Sequence, residues 1–166
     1  MKKKILIYVG ILCIITFFAW LSIKVLNENN QNNYINYEYH VTLKYNKDWI
    51  SSSGYSNKFV GKNGFFQISA FDGQNWDIDE VAKHEVSHHL LPYGSNPQIS
   101  QLTINRHEAR IIIPSEDQAK EMNSQAEIII KYPQVLEVDG DTYYYFILWA
   151  DKNHIQKIAK SLKFIS

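Results

Sequence analysis

Apolar and polar residues alternate with a period of two along much of this chain, and that alternation predicts strands. Tyr37, Tyr39, Val41, Leu43 and Tyr45 interleave with Glu38, His40, Thr42 and Lys44, so one half-buried strand is expected there, closed by "NKDW". In "KFVGKNGFFQISAF" the pair Asn63-Gly64 separates two apolar-aromatic runs, a hairpin signal because both residues tolerate positive φ. "QISQLTINRHEARIIIP" reads as a second hairpin turning near Asn105-Arg106. "QAEIIIKYP" is dense enough in isoleucine for a central strand, and "VLEVDGDTYYYFILWA" is a third hairpin turning at Asp139-Gly140.

The period changes twice. Ile78, Val81, Ala82, Val86 and Leu90 form a helical stripe behind Asp77, whose partner Glu80 three residues on completes a capping box; Pro92 and Gly94 end it. Ile155, Ile158, Ala159 and Leu162 follow the spacing i, i+3, i+4, i+7, with Asp151 read as the cap. The order is three strands, a helix, about five strands and a helix, and no internal repeat is visible. The predicted fold class is α+β, an antiparallel β-sheet with two packed helices.

The N-terminus departs from both periods. Lys2, Lys3 and Lys4 precede an uncharged apolar run from Ile5 to Ile23, close to the roughly 20 residues that cross a hydrocarbon core. A cleaved signal has a shorter core and a small-x-small site, and neither is present around Ala19 to Ile23. The lysines place the N-terminus in the cytoplasm and Trp20 suits an interfacial belt, so a retained transmembrane signal anchor is expected. Three segments follow: 1–26 as cytoplasmic tip and anchor, 27–33 ("NENNQNN") as a polar linker, and 34–166 as one extracytoplasmic domain.

Composition adds two exclusions. Cys13, the only cysteine, sits inside the apolar run, so no disulfide staples the outer domain. Past the three N-terminal lysines, 14 Lys and Arg stand against 17 Asp and Glu, and no basic patch marks a nucleic-acid partner. The expected partners are the membrane, through the N-terminal helix, and a membrane or cell-envelope protein.

Three phrases carry a resemblance: "YHVTLKYNKDW", "YGSNPQISQLTINRHEARIIIPSEDQ" and "YFILWADKNHIQKIAKSLKF". With the element order, they resemble the PsbP-like α/β sandwich, particularly small membrane-anchored extracytoplasmic proteins of Gram-positive bacteria. Similar domains occur alone or attached to sensor proteins, including relatives of beta-lactam-sensing metallopeptidases. The resemblance covers most of 37–164 and implies a non-catalytic binding or accessory domain. It carries no functional residue across, because a fold does not fix function.

One motif points elsewhere. "HEVSH" places His84 and His88 four apart on one face of the expected helix, able to point nitrogens at one ion, with Glu85 able to act as general base on a zinc-bound water. A catalytic zinc needs a third protein ligand. The long motif fails, with Leu91 and Gly94 where glycine and histidine belong, and Glu108 is a weak candidate on a strand beside Arg110. The expectation is therefore no cofactor and no catalytic residue. The alternatives are a minimal zinc metallopeptidase using His84, His88, Glu85 and Glu108, or a metal-binding module without chemistry. His89 is read as a half-buried histidine at the edge of the core. Trp76, beside Gly73 and Asn75, and Tyr93 and Asn96, in the turn "PYGSNP", are the expected ligand or partner contacts. The function expected from sequence is a membrane-anchored extracytoplasmic binding, accessory or sensor-type module.

Overall fold

The structure, a computed structural model, describes residues 14–18 and 30–165. It divides into two compact units, Met1–Asn32 and Asn33–Ser166. In the first, residues 14–18 form a helical turn with Ile14, Ile15, Phe17 and Phe18 exposed. The remainder of the expected anchor lies outside the described residues, and among those described no helix is long and apolar enough to cross a membrane.

The elements run β1 (Gln31–Asn36), β2 (Val41–Asn46), β3 (Ile50–Ser51), β4 (Lys58–Gly61), β5 (Gly64–Phe71), α1 (Ile78–Val86), β6 (Gln98–Ile104) and β7 (His107–Ile113). A 3-10 turn at Lys120–Met122 leads to β8 (Gln125–Val138), β9 (Asp141–Asp151), α2 (Ile155–Ser161) and β10 (Lys163–Phe164). A seven-stranded sheet has the order β3-β4-β5-β9-β8-β7-β6, its paired neighbours antiparallel, and a three-stranded sheet has the order β1-β2-β10. The fold class is α+β, as the pattern predicts.

Strand alternation assigns each face of the large sheet to a different cover. Ala109, Ile111, Ile128, Ile130, Phe146 and Leu148 pack with Val41, Leu43 and Tyr45 of β2 and with Ile155, Ile158 and Ala159 of α2. Ile112, Ile129, Tyr145 and Ile147 face the other way and pack against Ile78, Val81 and Ala82 of α1. The centre of the sheet is thus buried on both sides. Aromatic rings fill one end of the first layer, where Phe59 and Phe66 stack at 5.1 Å and Tyr45 lies 4.9 Å from Phe59.

The turns follow their local chemistry. Asn105 and Arg106 (φ 47° and 73°) join β6 to β7, and Asp139 and Gly140 (φ 52° and 93°) join β8 to β9. Both two-residue loops have the paired positive φ whose twist suits a hairpin. The first hairpin turns one residue earlier than expected, at Lys62–Asn63, with Gly61 opposite Gly64.

Four expectations are corrected. Tyr37 to His40 form a turn, because the Asn36 side chain accepts from Tyr39 N at 2.7 Å and His40 takes φ 50°; β2 begins only at Val41. The polar stretch 27–33 is strand from Gln31 on, as part of β1. "QAEIIIKYP" and "VLEV" are one strand, β8, interrupted by a register shift between Lys131 and Leu136. Asp151 does not cap α2: it ends β9, and its carboxylate accepts from His154 Nδ1 at 2.8 Å and Asn153 N at 3.2 Å.

Gly61 marks a close approach. A Cβ there would stand 2.2 Å from Cδ1 of Trp49, whose ring is buried against Phe66 and His154. Gly61→Ala is expected to lower unfolding stability by about 1–3 kcal/mol through overpacking. Gly54→Ala, with nothing within 4 Å, serves as the neutral control in the same urea titration.

Candidate functional site

The helix carrying "HEVSH" stops before the motif does. Asp77 and Glu80 form the predicted capping box, and α1 ends at Val86 with Ser87 as C-cap. Ser87 Oγ donates to His84 O at 2.8 Å, so a local side-chain bond occupies a carbonyl at the helix end. His88 is therefore off the helix, and its Nδ1 accepts from Leu90 N at 3.2 Å. The i, i+4 face that would have aimed two imidazoles at one ion does not exist. His89 is exposed rather than half-buried, stacked on His88 at 4.6 Å, and Leu90 is exposed rather than part of the stripe.

The other members of the alternative zinc site have different partners. His84 Nδ1 lies 3.4 Å from Glu85 Oε1, and its ring packs 5.1 Å from Trp76 and 5.5 Å from Phe71. Glu108, on β7, accepts from Arg110 at 3.1 Å, while Arg110 also reaches Asp79 at the start of α1 at 2.6 Å. That contact to Arg110 lowers the Asp79 carboxyl below its usual range and raises Arg110. Among the described residues no three His, Cys, Asp or Glu side chains gather to hold a metal.

Tyr93 is a core residue, 1% exposed, and not the surface contact expected from its turn. The turn is strapped to the segment after β7. Ser115 N donates to Tyr93 O at 2.9 Å, Ser95 N to Asp117 at 3.2 Å, and Gln118 Nε2 to Pro92 O at 2.6 Å. Bonds from Ser115 and Ser95 hold the Asp117 carboxyl down at about 2. Asn96 is exposed on this turn, its N–H on Ser115 Oγ at 3.2 Å.

Beneath the turn lies a group the sequence reading missed. Glu127, the third residue of β8, is 0% exposed. Tyr93 OH donates to its Oε2, as does Trp149 Nε1 at 3.0 Å, while Oε1 has no partner. Burial first, and the nearby Glu85 charge second, push this carboxyl well above the usual carboxylate range. Burial likewise pushes the Tyr93 hydroxyl up. A clue was present: alternation in "AEIII" puts Glu127 on the same side as Ile129, inside a strand with no solvent face.

Trp76 is 40% exposed and stands over the remaining candidate surface. Tyr145 OH donates to Trp76 O at 2.6 Å, which fixes the loop before α1. Across from that loop, the shift in β8 pushes Pro133, Gln134 and Val135 outward, and Val135 is 51% exposed. Trp76, Pro133, Val135, Tyr144 and Tyr145 help to line a cleft of about 390 Å³. Such a cleft, with aromatic walls, apolar rims and Lys131 at its edge, can hold a short extended segment or a few side chains. A second, polar cleft of about 450 Å³ runs past Lys58, Lys62 and Asn123, with the bonded Asp151 carboxylate among its lining.

Glu127 has a measurable consequence. Its folded-state pKa is raised above the ordinary 4.5, so the folded chain holds the extra proton and stability falls as pH rises through that interval. Glu127→Gln keeps the shape and removes the titration. The variant should gain on the parent by up to about 1.4 kcal/mol per pH unit above pH 4.5, levelling off once the buried carboxyl itself ionises, read by urea unfolding at several pH values. Parallel stability profiles for the two proteins would refute the assignment.

No family model matches this chain, and no curated protein does. Among solved structures it is similar to the solution structure of cyanobacterial PsbP (CyanoP) from Synechocystis sp. PCC 6803, with a TM-score of 0.44 and 11% identity over 81% of this chain and 92% of that chain.

Proposed function

We propose that residues 34–166 form a non-catalytic binding or accessory module, held at the outer face of a cell membrane by the N-terminal apolar run, and that its partner is a membrane or cell-envelope protein. The observation that carries this reading is the cleft between the Trp76 loop and the displaced stretch 133–135 of β8. A soluble domain ordinarily covers such side chains, and an exposed aromatic beside an exposed valine and a proline is the composition of a recognition surface. The bond from the Tyr145 hydroxyl to Trp76 O holds the Trp76 backbone in place before any partner arrives, which reduces the ordering cost of binding. Asn96 and the rest of the "PYGSNP" turn are tied to Ser115 and Asp117 and do not line this cleft.

The membrane half of the proposal rests on the lysine triplet and the uncharged run from Ile5 to Ile23. A photo-crosslinking residue at Gln134, on the lip of the cleft, tests both halves in intact cells. The expected outcome is a discrete adduct with an envelope protein, lost in a Trp76→Ala background, and activity of an export-dependent reporter fused after Ser166. An adduct indifferent to Trp76, or a reporter active in the cytoplasm, would overturn the proposal.

A further inference from the structure

The seven-stranded sheet has two edges, and they are built differently. One is β3, only two residues long. The other is β6, Gln98 to Ile104, seven residues with sequence QISQLTI. Exposed edges are normally blunted by charge, proline, a bulge or brevity, because their free N–H and C=O groups recruit other strands. β6 has no charged residue and no proline, and its register with β7 runs unbroken from Gln98↔Ile113 to Ile104↔His107. Gln98, Ile99, Ser100, Gln101 and Thr103 are exposed, and no other described strand pairs with the outer side.

The hairpin fixes which backbone groups point outward. In a two-residue hairpin the pair that closes the loop exchanges both bonds, here Ile104 and His107. Bonding alternates from there, so Leu102, Ser100 and Gln98 bond inward to β7, while Ile99, Gln101 and Thr103 present N–H and C=O to solvent.

We propose that β6 is a homodimer edge, pairing antiparallel with β6 of a second copy about a two-fold axis at Gln101. In that register Gln101 faces Gln101 and Ile99 faces Thr103 on both sides of the axis, so each outward-pointing residue exchanges both of its bonds. The cross-strand side chains are compatible. Ile99, 38% exposed, meets the methyl-bearing Thr103, Ser100 lies beside Leu102, and Gln98 beside Ile104. No charge opposes a like charge, and the first charged residue beyond the strand, Arg106, falls opposite Asn96. A segment from another protein can use the same main-chain groups. Self-pairing is favoured because one strand satisfies its own edge with every side-chain pair tolerated. This inference is independent of the aromatic cleft.

The test uses the full chain in detergent, with association followed by sedimentation across a concentration series. A dimer is expected, together with amide exchange at Ile99, Gln101 and Thr103 that slows as concentration rises, while Ser100 and Leu102 are protected throughout. Gln101→Lys sets like charges against each other at the axis, beside Arg110 across each hairpin, and should raise the dissociation constant about fivefold to tenfold. Mixing it one to one with Gln101→Glu should restore association. Unchanged exchange protection of Ser100 and Leu102 in each variant verifies that the hairpin is folded. A wild-type chain that stays monomeric, a dimer indifferent to Gln101→Lys, or no recovery in the mixture would each overturn the proposal.

Discussion

Burial of β8 and β9 on both faces is the constraint from which the rest of the structure follows. Ala126 to Ile130 and Tyr145 to Leu148 are buried without a break, so neither face can be left to water. An antiparallel sheet more often keeps one face wet and alternates apolar with polar. Here two covers are required, and the chain provides α1 on one side and α2 with the small sheet on the other. The spacing of Ile78, Val81 and Ala82, and of Ile155, Ile158 and Ala159, is what makes each helix a one-sided cover.

The same constraint explains the polar groups inside. A carboxyl inside the buried run Ala126 to Ile130 has no route to solvent, so its bonds must come from neighbours, and Tyr93 and Trp149 furnish them. Tyr93 reaches Glu127 only because its turn is tied down by Ser115, Asp117 and Gln118. A turn that looks free in sequence is therefore a plug over the α1 face. Arg110 is met in a similar way, by Asp79 and Glu108 at the margin of that face, which is why Glu108 belongs to an ion-pair group and not to a ligand set.

What could be read from the sequence was whatever one segment decides by itself. The turns at Asn105-Arg106 and Asp139-Gly140 and the cap at Asp77 depend on a few adjacent residues, and each lies where local chemistry puts it. What needed the rest of the fold was misread. Tyr37 to Tyr45 alternates like a strand, yet an Asn36 bond and the left-handed His40 end that pattern. Leu90 has the helical spacing but meets no surface once Ser87 closes α1. Trp76 was legible because its neighbours Gly73 and Asn75 announce a loop. The other half of its cleft was not, since a register shift between Lys131 and Leu136 depends on the partner strand. Glu127 was legible in principle, through a lone carboxylate in an isoleucine run.

The pairing of β2 with β10 bears on how the domain is assembled. Val41 and Thr42 take Phe164 and Lys163 as partners, contacts that span nearly the whole of the second unit, Asn33–Ser166. A chain made from its N-terminus has β2, with Leu43 and Tyr45, waiting for its last neighbour until Phe164 has appeared. Closing so long a loop is an entropic cost met late, the hallmark of slow, high-contact-order folding. Throughout that wait the apolar side of β2 stands open to other chains, so the interval before β10 docks is the one in which a chaperone has most to protect.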